Sequence, residues 1–188
     1  ISIYSGELTV NNNITSNNSG SDVLFNSSNI TLNAPITSSG TSTVTINSSG
    51  NVIDGINGSF VGKIISTNLL LTGNGNFNLD STTNNVSIIS AGSNASRLGS
   101  LNFTNSNALV VGSVGSNSGI YTTGTIAIST LTGDLSVSQN INTQNTSTTA
   151  LILNASQSTA AGVSSGGDLK FSGGASITIG ANARAKLY

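Results

Sequence analysis

Charge is scarce in this sequence. Its 188 residues carry five basic and six acidic side chains, whereas about a quarter of the residues in an ordinary soluble domain are charged. Histidine, cysteine, methionine and tryptophan are missing, and Pro35 is the only proline. Without cysteine there is neither a disulfide framework nor a thiolate metal site. Without histidine as well, zinc has no imidazole or thiolate ligand, and a Ser-His-Asp triad cannot be assembled. The basic residues are Lys63, Arg97, Lys170, Arg184 and Lys186, and the formal net charge is −1. Nucleic-acid binding needs clustered Lys and Arg to neutralise phosphates, so that class is set aside. Runs of large aliphatic side chains stop at about three residues, as in Leu69-Leu70-Leu71, far short of the ~20 needed for a membrane-spanning helix. Ile1 is preceded by neither Met nor a basic segment, so the chain reads as an internal or processed stretch of something longer.

What is abundant is small and neutral: 106 residues are Asn, Ser, Thr or Gly. Disordered chains are also polar, but they are usually charged and poor in β-branched residues. Here 36% of residues are hydrophobic, chiefly Ile, Val and Leu, and mean hydropathy is +0.14. With Thr, those residues suit a pleated, half-buried surface. Apolar side chains alternate with polar ones throughout, as in Leu8-Thr9-Val10, Val44-Thr45-Ile46, Phe77-Asn78-Leu79 and Ile126-Ala127-Ile128. Period-two alternation over a few residues marks short strands with one apolar face. Asn, Gly and Ser between them supply turns, and the stretch from Gly112 to Gly119 reads as one such loop. No composition shift divides the chain, so residues 1–188 read as a single all-β unit.

Internal similarity selects a solenoid among the all-β architectures, because stacked coils return one pattern to one place. The segment Ile1–Val10 recurs at Ile128–Val137, and the match continues from Asn13-Ile14 to Asn140-Ile141. A shorter Gly-x-Leu-x-(Val/Phe) motif begins at Gly6, Gly99, Gly133 and Gly167. The last three are 34 residues apart, which predicts a coil of that length or two coils of roughly half of it. On this reading Leu8, Val10, Leu101, Phe103, Leu135, Val137, Leu169 and Phe171 point inward as the stacked core. Asn13 and Asn140 occupy equivalent turn positions, serving either as an axial amide ladder or as turn formers. Ala185-Lys186-Leu187-Tyr188 echoes Ile1-Ser2-Ile3-Tyr4, as one unit of a tandem array would.

The phrases Gly6-Glu7-Leu8-Thr9-Val10, Asn29-Ile30-Thr31-Leu32-Asn33-Ala34-Pro35-Ile36-Thr37, Asn68–Phe77 and Gly133-Asp134-Leu135-Ser136-Val137 resemble the haemagglutinin-type repeats of large bacterial surface adhesins of the filamentous haemagglutinin group. The resemblance implies a right-handed single-stranded parallel β-helix on a secreted or surface-anchored protein, hence an extracellular or cell-surface location. The expected role is a non-catalytic shaft, with a carbohydrate or cell-surface ligand as its partner. Alternatives are a filament subunit that associates end to end, and a polysaccharide-binding or polysaccharide-degrading β-helix. The last needs clustered carboxylates, whereas Glu7, Asp22, Asp54, Asp80, Asp134 and Asp168 are scattered along the chain. Glu7, Asp134 and Asp168 each follow a glycine, so stacking would set them in one column as repeated solvent-facing turn residues. The sequence contains no cofactor or metal motif: Gly73-Asn74-Gly75 lacks a third glycine and a following helix.

Overall fold

The computed structural model of the chain describes residues 1–57, 60–160, 162–164 and 166–188. Within it the alternating segments become strands that stack as a parallel β-solenoid; among the described residues there is no helix. Because successive side chains of a strand face opposite ways, each coil sends alternate residues inward, onto counterparts in the coils before and after it. One axial column runs Leu8–Ile30–Val52–Phe77–Leu101–Ile126–Leu151–Ala185. On another face a column runs Ile3–Phe25–Ile46–Leu71–Ala91–Ile120–Ile141–Ile177. Away from the ends these side chains are sealed from water, and together they form one continuous core.

The register corrects the expected coil length. Along the Leu8 column the partner offsets are 22 residues (Leu8 to Ile30, Ile30 to Val52), 25 (Val52 to Phe77) and 24 (Phe77 to Leu101). They return to 25 for the next two coils (Leu101 to Ile126, Ile126 to Leu151) and reach 34 only from Leu151 to Ala185. Of the two 34-residue intervals in the glycine motif, Gly99 to Gly133 therefore crosses between faces, whereas Gly133 to Gly167 is one full coil, as expected. Leu8 and Leu101 share a column, whereas Leu135 and Leu169 stack with Leu109 on a different face. Asn13 and Asn140 are likewise separated: Ile14 stacks on Ile36 and Ile64, while Ile141 lies in the Ile3 column. Each face solves the same local problem with a small corner residue followed by two inward aliphatics. A segment therefore resembles its neighbours around the coil as closely as those along the axis.

Of the expected inward residues, Val10, Leu101, Phe103, Leu135 and Val137 are buried. Leu8 and Leu169 are partly buried against the core. Phe171 departs from the expectation: it stacks in register on Val137 but is 45% exposed. Among the described residues its strand, Leu169–Phe171, pairs only with the preceding coil, which leaves Phe171 without a stacked partner on the far side.

Corners are turned by an inward polar residue that extends the same alternation. Ser66 Oγ donates to Asn68 O (2.9 Å), Thr122 Oγ1 to Gly124 O (2.7 Å) and Thr130 Oγ1 to Gly133 O (2.9 Å). Asn105 does more: Nδ2 donates to Asn107 O and Ala108 O (2.9 and 3.1 Å), while Oδ1 accepts Val86 N–H from the adjacent coil at 2.8 Å. Asn84 holds Ile64 N–H in the same way at 2.7 Å. Buried polar groups are costly unless paired, and among the described residues no buried side-chain N or O is left without a partner.

Two antiparallel hairpins interrupt the coils. One pairs Ile56–Asn57 with Phe60–Val61, the other Ser113–Val114 with Asn117–Ser118, so residues 112–119 form a hairpin rather than a plain loop. Both are closed at the base by glycines. Gly62 N–H donates to Gly55 O at 2.8 Å and Gly119 N–H to Gly112 O at 2.9 Å. Gly119 is required there: its φ is +77°, and a Cβ would overlap the Asn140 carbonyl.

Candidate functional site

The outer side of the Leu8 face carries the most regular polar arrangement in the molecule. Because inward residues stack in register, so do the outward ones between them. One row runs Glu7–Asn29–Asn51–Asn76–Ser100, and Thr31, Ile53, Asn78, Asn102 and Ala127 form the next. The first row is tied along the axis. Asn29 Nδ2 donates to Glu7 Oε1 (3.2 Å), Asn51 N–H to Asn29 Oδ1 (2.8 Å), Asn76 Nδ2 to Asn51 Oδ1 (3.4 Å), and Ser100 Oγ to Asn76 Oδ1 (3.0 Å). In the second row Asn102 Nδ2 donates to Asn78 Oδ1 at 2.7 Å. Between these rows lies an open concavity of about 440 Å³, bounded by Asn51, Asn76, Asn78, Ser100 and Asn102 and extending to Thr125 and Ala127.

Amide ladders thus exist, but not at Asn13 and Asn140. Asn13 precedes Ile14, whose partner Ile36 follows Pro35, so the stacked neighbour is a proline without an amide. Asn140 lies over Gly119 and accepts Ser176 N–H and Oγ–H, both at 3.0 Å. It acts as a turn acceptor. Further amide pairs join Asn33 to Asn11 (2.9 Å), Asn47 to Asn26 (3.1 Å) and Asn107 to Asn85 (3.3 Å).

The carboxylates divide differently from the glycine pattern. Asp134 and Asp168 do stack: Asp168 N–H donates to Asp134 Oδ1 at 2.9 Å, and Lys170 Nζ bonds Asp134 while lying 3.8 Å from Asp168. The Asp168 amide, then Lys170, hold the Asp134 carboxyl below the usual range, and Asp134 in turn raises the Lys170 ammonium. Glu7 stands apart on the Leu8 face. A second pair escaped the sequence reading. Asp54 follows Leu32 in a core column otherwise filled by Val10, Leu32 and Leu79, and its Oδ2 accepts Ser81 N–H from the next coil at 2.6 Å. Burial, reinforced by the negative charge of Asp80, pushes the Asp54 carboxyl up to about 6, against the pull of the Ser81 amide. Asp80 borders the amide-lined concavity, where Asn102 Nδ2 approaches its Oδ2 at 3.4 Å. The clue in the sequence was the 26-residue spacing of Asp54 and Asp80, one more than the Val52-to-Phe77 offset, and it becomes legible only once the coil length is known.

Among the described residues no group of three or more carboxylates, thiols or imidazoles gathers as for a metal ion. Among them, too, there is no helix long and apolar enough to cross a membrane. The chain matches no protein-family model, no curated protein and no solved structure.

Proposed function

We propose that this chain is a length of shaft in an extracellular surface protein, a rod that carries or spaces adhesive contacts. The observation that carries the reading is the uninterrupted stacking of the Leu8 and Ile3 columns from coil to coil. A solenoid in which each coil touches only its neighbours is quasi-one-dimensional. Each coil lengthens the rod by about 4.8 Å, the strand spacing of a sheet, and transmits load through its backbone ladder. The exterior suits an exposed position: it is covered by neutral amides and hydroxyls, with few charges to vary with ionic strength. The likeness of the Gly6–Val10 and Gly133–Val137 phrases to adhesin repeats points the same way.

The test is antibody labelling of intact cells of the source organism, with electron microscopy of the labelled surface. Label is expected on unpermeabilised cells, displaced outward from the envelope on thin projections. Label that requires permeabilisation, or that lies flush with a compact particle, overturns the proposal.

A further inference from the structure

We propose that the amide-lined concavity of the Leu8 face is a binding site for a neutral polysaccharide lying along the solenoid axis. This goes beyond the shaft reading, which stands or falls independently on where the rod is displayed.

The face has unused hydrogen-bonding capacity. An Asn amide offers two N–H donors and two acceptor lone pairs. Asn76 spends one donor on Asn51 and one acceptor on Ser100, and its side chain is exposed. A donor and an acceptor are left facing solvent, already oriented by the ladder. Asn78 and Asn102 are fixed to each other in the adjoining row. Rigid, paired donors and acceptors match vicinal hydroxyls, which both give and accept. Because they are held in place before a ligand arrives, little ordering cost is added on binding. Ile53, 42% exposed, and Ala127 supply apolar contact for the C–H face of a sugar ring.

Charge narrows the ligand class. No ionisable side chain lines the concavity. The charged groups bonded to its rows, Glu7 and Asp80, are both acidic. Sulfated and uronic acid polymers would meet the like charge of Asp80 beside Asn102, so the site selects against them.

The backbone excludes a peptide ligand added as a strand. Asn76–Leu79 pairs on both sides, with Asn51–Asp54 and with Ser100–Asn105. Its main-chain donors and acceptors are consumed, so an extended peptide cannot join the sheet here. The recognition elements are side-chain rows that recur every ~4.8 Å, a periodicity that suits an extended polymer of repeated sugar units better than a compact ligand.

The experiment is affinity electrophoresis of the purified chain through gels containing soluble starch, laminarin, mannan or hydroxyethyl cellulose, with heparin and polygalacturonate as acidic polymers. Retardation is expected in at least one neutral gel, and none in the acidic ones. The Asn76→Ala/Asn102→Ala double variant should bind about ten-fold more weakly. Asn107→Ala, in a separate amide pair, should bind as the unaltered chain does. Should the double variant fail to give the circular dichroism of the parent, Ala127→Arg, which fills the concavity from an outward position, replaces it with the same expected loss. Three results overturn the proposal: no retardation by any neutral polymer, stronger retardation by an acidic one, or undiminished binding by the folded variants.

Discussion

The carboxyl of Asp54 makes the stability of this solenoid depend on pH in an unusual direction. An aspartate ordinarily titrates near 3.8, and burial beside Asp80 raises Asp54 to about 6. A raised acid holds its proton more tightly in the folded chain than in the unfolded one. Its contribution is therefore complete below pH ~3.8 and is lost as pH climbs through ~6. For a group fully shielded from water, a rise of this size is worth about 3 kcal/mol. Asp54 is partly open to solvent, and screening reduces this to about 1–2 kcal/mol. The Asp134 carboxyl moves the opposite way, so its contribution is lost only at lower pH, below the range in which Asp54 ionises. The assay is guanidinium denaturation followed by far-ultraviolet circular dichroism at about pH 4.5, 5.5, 6.5 and 7.5, which brackets the ionisation of Asp54. The parent should weaken by about two-thirds of that amount across the series, the rest being already lost by pH ~4.5, while Asp54→Asn, which cannot ionise, should stay flat and be the more stable of the two at the highest pH. A parent that strengthens as pH rises through the series, or an Asp54→Asn chain that keeps the same slope, refutes the reasoning.

Other substitutions probe the core, the corners and the hairpins, each read by the same denaturation assay. Phe103→Ala removes a fully buried ring and should cost about 3–5 kcal/mol, whereas Phe171→Ala, half exposed, should cost less than about 1 kcal/mol; equal losses would contradict the placement of the two rings. Asn105→Ala strands Val86 N–H and two corner carbonyls, for an expected loss of about 2–3 kcal/mol, while Asn13→Ala should change stability by no more than about 0.5 kcal/mol. Gly119→Ala combines a left-handed φ with overlap of the Asn140 carbonyl and should cost at least about 1–2 kcal/mol.

The fold was legible in the sequence because alternation and stacking are local rules. Leu101-Asn102-Phe103 and Leu135-Ser136-Val137 declare their inward residues without any knowledge of the rest of the chain. Coil length was not legible from the repeats, since Gly99 and Gly133 satisfy the same corner geometry on different faces. That error carried over to the amide ladders. Asn13 and Asn140 aligned as sequence yet stack against Pro35 and Gly119, while the ladder of Asn29, Asn51 and Asn76 lay hidden in spacings of 22 and 25 residues. The corner residues were within reach: extending the alternation by two positions leads from Phe103 to Asn105 and from Ile128 to Thr130. The hairpin stems were not marked out: Gly55 and Gly62 repeat the interval of Gly112 and Gly119, but so do Gly92 and Gly99, between which the described residues form no antiparallel pair.

The absence of cysteine allows the coil register to be read by engineered disulfides, which form when Cα atoms lie about 4.4–6.8 Å apart. Asn102 stands beside Ala127 in the next coil, whereas Ser136, 34 residues from Asn102, pairs with Val110 and Lys170 on another face. An Asn102→Cys/Ala127→Cys chain should oxidise to an intramolecular disulfide under mild conditions, and Asn102→Cys/Ser136→Cys should remain reduced. Ready oxidation of the second pair, with the first left as free thiols, would mean that the coils stack in a different register and would contradict the fold at its root.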